Sequence, residues 1–323
     1  MKRIWATVYT IGEDMKKVLI ITSENDLTVD YIIDKYSSKV NFFRFNTDSF
    51  NKYSISVNDK TFSWEISNEY RKVSIDDIDA IYYRKPQLPN LSNYESIYHK
   101  LIYKELISFI EGIVETFEGK CLSKPSILKK ADNKILQLKL AEKIGLNIPR
   151  SLITNSSSIA QEFCNKYLSI VKPLSIGKVS DKSQTRIIQT NKVSLDKKFE
   201  DLDLCPAYFQ QEIKKDYELR ITVINDIFFS VKINSQLSKE TKVDWRVDTS
   251  KLTYEITEIP DEIKHKCCKL LNLLNLKFGA FDFIVKDNEY VFLEVNPNGQ
   301  WGWLEEELNL NISDAIIDYL VGD

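Results

Sequence analysis

The sequence predicts a mixed α/β and α+β protein, and three observations carry that prediction. Val18-Leu19-Ile20-Ile21-Thr22 is a continuous apolar run of the kind that fills a strand buried on both faces. Strand-like stretches at 40–45, 53–57 and 79–84 are interleaved with helical spacing at 28–37 and 95–118, the alternation of an α/β layer. Further on, strands come in adjacent pairs: 217–224 with 227–235 across the turn residues Asn225-Asp226, and 281–285 with 291–296.

Each element has a local reason. In 95–118 the residues Ile97, Leu101, Ile102, Leu106, Phe109, Ile110, Ile113, Val114 and Phe117 recur at helical spacing, which predicts a long amphipathic helix. Pro86 stops the strand at Tyr82-Tyr83, leaving Arg84 and Lys85 at its tip as expected solvated charges. After a loop with Ser123, Pro125 and Ser126, a helix over 132–145 carries Ile135, Leu138, Leu140, Ala141 and Ile144 and stops at Gly145. A helix over 157–167 leads to the strand Ser169-Ile170-Val171-Lys172, closed by Pro173. A small, polar loop over 174–184 holds Ser175, Gly177, Lys178, Ser180, Asp181 and Ser183, and a strand over 185–190 returns from it. Tyr208 to Ile213 reads as a short strand entering a basic turn. The stretch 237–250 is polar, with Lys239, Glu240, Lys242, Asp244, Trp245 and Arg246. Helices are expected over 261–276 and 312–321.

Composition narrows the function. Charged residues are 28% and the net charge is −3, so nothing draws the chain as a whole to nucleic acid or membrane, and no apolar run reaches a membrane span. Met1 to Lys17 carries Lys2, Arg3, Glu13 and Asp14 without an apolar core, so it does not read as a signal peptide. Met15 is a second plausible start, which makes 1–14 an expected extension outside the fold. Cys121, Cys164, Cys205, Cys267 and Cys268 form no C-x-x-C pair, so reduced thiols in a cytoplasmic protein are expected. With only His99 and His265, a histidine-based triad or zinc site is implausible. There is no G-x-S-x-G, G-x-G-x-x-G or P-loop.

The most informative stretch is Phe281-Asp282-Phe283-Ile284-Val285 followed by Val291-Phe292-Leu293-Glu294-Val295-Asn296. Glu294 and Asn296 share a strand face because side chains alternate. If Asp282 joins them, two carboxylates and a carboxamide converge, a set that suits Mg²⁺. The alternative is that the charges merely cap two core strands, yet a buried face tolerates two uncompensated carboxylates poorly. Register decides between them. A two-residue turn at Asp287-Asn288 pairs Lys286 with Glu289 and sets Asp282 opposite Leu293, so that Asp282 faces away from Glu294. A three-residue loop, or a bulge, pairs Asp282 with Glu294.

Cations complete the constellation. Lys134 lies in the first turn of its helix and Lys172 ends a strand before the polar loop; both suit phosphate oxygens as point charges. Glu218 and Arg220 share one strand face while Leu219 and Ile221 enter the core. Arg246, after Asp244-Trp245, is a second candidate for stabilising developing negative charge.

In order and spacing, Lys134, Val171-Lys172-Pro173, Phe209-Gln210-Gln211-Glu212-Ile213, Glu218-Leu219-Arg220, Asp282-Phe283 and Glu294-Val295-Asn296-Pro297 resemble the ATP-grasp superfamily over about 125–323. Finer features resemble its graspetide synthetase branch, the microviridin- and plesiocin-like peptide macrocyclases. These are Ala131-Asp132-Asn133-Lys134 with Gln137-Leu138, Gly145-Leu146 with Pro149, Thr154-Asn155, Tyr217 to Arg220, Lys232 with Ser235-Gln236, Asp244-Trp245-Arg246, Asn298-Gly299-Gln300-Trp301 and Trp303-Leu304-Glu305. Tyr83-Arg84-Lys85-Pro86 resembles the branch's first-domain strand end.

The resemblance implies an ATP-grasp fold: an N-terminal α/β (pre-ATP-grasp) domain over 15–122, a central subdomain over 123–210 and a C-terminal subdomain over 211–323. It implies ATP held by phosphate contacts from Lys134 and Lys172, by adenine contacts to the backbone of Gln211, Glu212 and Ile213, and by Glu218 at the ribose. It implies Mg²⁺ on Asp282, Glu294 and Asn296, with Arg220 and Arg246 catalytic. The implied reaction activates a side-chain carboxylate of a precursor peptide, leader plus core, which a Ser, Thr or Lys side chain of that peptide then attacks. No nucleic acid or membrane partner is expected; a homodimer is one assembly considered, and the sequence does not set the oligomeric state. Against the branch pattern, the loop after Lys172 has a single glycine, Gly177, and Glu212 stands beside Gln211 where one acidic residue is usual. Two other functions compete: a ligase that adds an amino acid to a peptide or protein carboxylate, and a non-catalytic nucleotide-binding module. Trp301, Trp303 and Trp245-Arg246 favour the macrocyclase over the first. The full set of metal ligands, lysines and arginines argues against the second.

Overall fold

The structure is a computed structural model that describes residues 15–175, 177–180, 185–194, 199–237 and 241–322. The expected extension 1–14, Asp181 and Ser183 of the polar loop, and Lys239 and Glu240 of the later polar stretch lie outside the described residues. The chain forms two compact units, one from residues up to Ser126 with the stretch from Ser313 onward, the other from Ile127–Ile312.

In chain order the first unit holds β1 (Lys17–Thr22), α1 (Leu27–Tyr36), β2 (Asn41–Asn46), β3 (Ser54–Val57), β4 (Trp64–Ser67), β5 (Lys72–Ser74), β6 (Ala80–Tyr83), α2 (Ser96–Glu115) and β7 (Lys120–Leu122). The strands make a parallel sheet in the order β2-β1-β6-β7 and an antiparallel sheet β3-β4-β5. Val18 to Ile21 are fully buried, as an interior parallel strand requires. Trp64 fills the core and its indole N–H donates to the Ile113 carbonyl (3.0 Å). Asp26 caps α1 by accepting from the Val29 N–H. Two expectations change. Arg84 is not a solvated charge: it is fully buried, with Nε 3.2 Å from Asp26 Oδ2. The stripe of α2 is buried only over Ile110, Ile113 and Val114, while Ile97 and Leu101 are exposed.

Then follow α3 (Pro125–Ala131), α4 (Lys134–Lys143), β8 (Ser151–Thr154), α5 (Ser157–Lys166), β9 (Ser169–Lys172), β10 (Lys178–Ser180), β11 (Thr185–Ile187), β12 (Asn191–Lys192), β13 (Ala207–Gln211), β14 (Tyr217–Ile224), β15 (Ile227–Ile233), β16 (Tyr254–Ile256), α6 (Asp261–Leu274), β17 (Phe278–Lys286), β18 (Glu289–Asn296), α7 (Gly302–Leu308) and α8 (Ile312–Val321). The second unit has a four-stranded sheet, β12-β9-β13-β8, and a five-stranded antiparallel sheet, β16-β15-β14-β17-β18. The stretch over 174–184, expected as a loop, contributes β10, which pairs antiparallel with β11 in the expected strand over 185–190. The strand pair over 217–235 is interior to its sheet, because β16 lies outside β15. The core beneath the larger sheet gathers Leu219, Ile221, Val223, Phe281, Phe283, Phe292 and Val295 with Leu270, Leu271 and Leu274 of α6. From Ser313 on, the closing helix meets α1: Tyr36 and Ser313 share a hydrogen bond (2.8 Å) and Lys35 pairs with Asp314 (2.9 Å). Among the described residues no helix is long and apolar enough to cross a membrane. The five cysteines are unpaired.

Candidate active site

The hairpin of β17 and β18 contains both features that the sequence left as alternatives. Asp287 and Asn288 form the two-residue turn, with φ of 50° and 63°, and Lys286 pairs with Glu289. That register would turn Asp282 away from Glu294. It is reset between Asp282 and Phe283, where Phe283 faces Phe292 but Asp282 faces Glu294. Leu293 is the extra residue of a β-bulge. Beyond it, rows run across three strands: Arg220, Asp282 and Glu294 in one, Thr222, Ala280 and Asn296 in the next. The face opposite the apolar core is therefore charged.

Arg220 Nη1 donates to Asp282 Oδ1 (2.7 Å), and Asn296 Nδ2 donates to Asp282 Oδ2 (3.0 Å) and Glu294 Oε1 (3.4 Å). Lys134 Nζ lies 2.7 Å from Glu294 Oε2 and Arg246 Nη1 lies 3.8 Å from Glu294 Oε1. Burial alone would push the Glu294 carboxyl up, but Lys134, then Lys172 and Arg246, outweigh it and hold it well below the usual carboxylate range. Burial pushes Lys172 down to about 8, against the opposing pull of Glu294. Its Nζ sits 4.7 Å from the Tyr208 ring centroid. Gly299 passes so close to Ala280 and Arg220 that a Cβ there would lie 2.6 Å from the Ala280 Cβ, and this approach lets Arg220 Nη2 donate to the Gln300 carbonyl (3.3 Å).

Gln211, Glu212, Ile213 and Glu218 line the cleft that also contains Lys172, Arg246, Asp282 and Glu294. The N–H groups of Gln211 and Glu212 donate to Arg150 and Leu168 carbonyls (2.8 and 2.7 Å), and Glu212 pairs with Lys192 at 2.5 Å. Glu218 is buried, which pushes its carboxyl up, and Lys215 opposes this at 2.6 Å. All eleven expected site residues therefore line this cleft and its continuation past Lys134 and Asn296 or, for Arg220, bond directly to a lining residue.

Sequence reading missed several partners. Asp244 accepts from the N–H and Nε of Arg246 (3.1 and 2.9 Å) and so aims that guanidinium. Lys215 holds both Glu218 and the Val243 carbonyl (3.0 Å); the basic turn at Lys214-Lys215 was its only signal. Trp301 is fully buried, so it offers nothing to a substrate groove, whereas Trp303 meets Trp245 and Tyr254 at centroid distances of 5.5 and 5.0 Å.

Comparison with known proteins gives this geometry a family. Residues 17–128 match the MvdD pre-ATP grasp domain and residues 131–320 match the RimK-like ATP-grasp domain. A RiPP-associated ATP-grasp ligase from Chryseobacterium gregarium, solved with ADP and a leader and core peptide, is 31% identical with a TM-score of 0.85, over 95% of this chain and 96% of that one. This chain is an ATP-grasp ligase of the RiPP-associated family. The macrocyclase MdnC of Microcystis aeruginosa, solved with its precursor peptide MdnA, is 28% identical with a TM-score of 0.84, over 95% of this chain and all of that one. Among curated proteins, the alpha-aminoadipate–LysW ligase LysX of Sulfurisphaera tokodaii is 25% identical over 219 residues, 64% of this chain and 73% of that protein. The expected ATP-grasp fold with its N-terminal α/β domain is thus borne out.

The donor set fits the nucleotide and cation that such a fold implies. Among the described residues no group of three or more His, Cys, Asp or Glu side chains could hold a metal by itself. Two carboxylates and a carboxamide beside two lysines suit a cation that shares its oxygens with phosphates. The buried Nε of Arg220 lacks a partner among the described residues and is a spare donor beside them.

Proposed function

We propose that this ligase closes macrocycles in a ribosomal precursor peptide, joining Asp or Glu side chains to Ser, Thr or Lys side chains as esters or amides. The observation that carries this reading is the bulge at Leu293. It sets Asp282 opposite Glu294 and so assembles a charged face for a Mg²⁺-nucleotide beside two arginines. Bound ATP with Mg²⁺ supplies the phosphoryl group that activates a substrate carboxylate as an acyl phosphate. Lys134 and Lys172 bind phosphate oxygens, and Asp282 and Glu294 give carboxylate oxygens to the cation. Asn296 would join them once its carboxamide is turned, since its N–H₂ faces both carboxylates. The backbone at 211–213 receives the adenine and Glu218 the ribose. Arg220 and Arg246 neutralise charge that develops on the transferred phosphoryl group and on the tetrahedral centre, because phosphoryl transfer needs positioning and charge neutralisation more than a protein nucleophile. In this reading the attacking group is the Ser, Thr or Lys side chain of the precursor itself.

A second reading, addition of an amino acid to a peptide or protein carboxylate, draws on the LysX likeness and uses the same nucleotide site. Mass spectrometry of the cognate precursor with enzyme, ATP and Mg²⁺ separates the two. Ring closure through an acyl phosphate removes one water, about 18 Da, per ring. A gain of one amino-acid residue instead would sink the macrocyclase reading.

A further inference from the structure

β18 is the last strand of its sheet, paired with β17 on one side only. Buried backbone groups on its outer side still need hydrogen bonds, and two contacts provide them. The Phe292 N–H donates to the Asn147 carbonyl (2.8 Å). Three residues on, Gln137 of α4 meets Val295 as a strand residue would. Its Oε1 accepts from the Val295 N–H (3.0 Å) and its Nε2 donates to the Val295 carbonyl (2.8 Å). The same Nε2 donates to the Ala131 carbonyl (2.7 Å), and the side chain is 1% exposed. Both ends of the carboxamide are committed, which fixes its orientation.

Between these two contacts lie Leu293 and Glu294, the bulge and the carboxylate it re-aims. Val295 itself separates Glu294 from Asn296. Lys134, one turn before Gln137 on α4, is the residue that pairs with Glu294. A bulge is where a strand can slip, and a slip of one residue moves every side chain beyond it to the other face.

We propose that Gln137 is a positioning residue for the Asp282, Glu294 and Asn296 group. Its carboxamide locks the register of β18 beyond the bulge and thereby keeps two oxygen donors and Lys134 in one frame. This rests on the reading of that group as a Mg²⁺-nucleotide site.

The test uses the full chain with Gln137→Met, which keeps the bulk and removes all three hydrogen bonds, and Gln137→Glu, which keeps the shape and sets a carboxylate against the Val295 carbonyl. ADP binding is measured calorimetrically across Mg²⁺ concentrations and in EDTA, and amide exchange at Val295 is measured without ligand. Outer partners of metal ligands change metal affinity about ten- to a hundredfold. Each folded variant should therefore need about tenfold more Mg²⁺ for half-saturation, hold its ADP affinity in EDTA within about twofold, and exchange the Val295 amide faster. An unchanged Mg²⁺ requirement overturns the proposal. So does an equal loss of affinity in EDTA, which would mark general loosening, and so does a Val295 amide that is unprotected in the unaltered protein, a measurement that needs no variant to fold. If ADP binding by the unaltered protein ignores Mg²⁺, the metal reading itself fails and this inference falls with it; if that dependence is present and the variants keep it, this inference alone fails.

Discussion

Each unit of the molecule buries an arginine against an aspartate, and the two pairs differ in what surrounds them. In the first, Asp26 faces Arg84, accepts from the Thr22 hydroxyl (2.8 Å) and caps α1. Its oxygens are spent on holding strand to helix. In the second, Asp282 faces Arg220 but shares its sheet face with Glu294, Asn296 and the approaching Lys134. More charge is gathered there than pairing requires. A buried ion pair is therefore a structural device until its neighbours exceed what the fold needs, and that excess marks a site.

The largest effect expected on this contrast is at Glu294. Glu294→Gln removes the carboxylate that Lys134 and Arg246 both face and should lower turnover at least about a hundredfold, with circular dichroism unchanged. Normal turnover in that folded variant would remove the cleft from the chemistry. Next come the two arginines. Arg84→Ala strands Asp26 and should cost about 3–5 kcal/mol in urea unfolding while each folded molecule keeps its activity. Arg220→Ala should instead lower turnover about a hundredfold, and Mg²⁺-ADP should restore part of its lost stability by binding only the folded state. The same profile for both would erase the distinction drawn here. Arg246 is half-exposed, so Arg246→Ala should barely move the melting temperature yet slow turnover about tenfold at saturating ATP. An effect on ATP affinity alone would assign it to binding.

The smallest effect is on pH dependence. Lys172 is charged below about 8 and loses its charge as the pH rises through that value, so ADP affinity should fall between pH 7 and 9, by about tenfold or less. Lys172→Arg should flatten that step. The sign for folding is opposite. A lysine pushed down by burial costs stability while it is charged below 8, and the cost fades as the pH rises from 8 towards 10.5, its unperturbed value. Titration of ADP binding across that range checks both the position and the direction.

How much of this was legible follows from the range of the forces involved. The helix at 261–274 and the paired strands at 217–233 are set by local periodicity and turn chemistry, and the sequence shows them. The hairpin reading narrowed the register to two outcomes but could not choose, because Val291, Phe292 and Leu293 are all apolar and none is marked as the extra residue. Arg84 read as solvated because its partner Asp26 is remote in sequence. Gln137 entered only as one residue of the family resemblance, because its partner is a backbone group that no local pattern records. Trp301 read as an aromatic near the site because nothing local records that it is fully enclosed. β4, β5, β7 and β16 were missed because three or four residues carry too little pattern to declare a period.

The face at Glu294 comes with its own counter-ions. Lys134 and Arg246 stand at its two oxygens, and the Asn296 N–H₂ bridges it to Asp282. A divalent ion arriving alone must displace a lysine and turn an amide for two carboxylates already neutralised, so its net gain is small. On the function proposed above, nucleotide phosphates would draw Lys134 and Lys172 to themselves and release those carboxylates. The proposed site therefore predicts that cation and nucleotide bind together, each strengthening the other's hold equally.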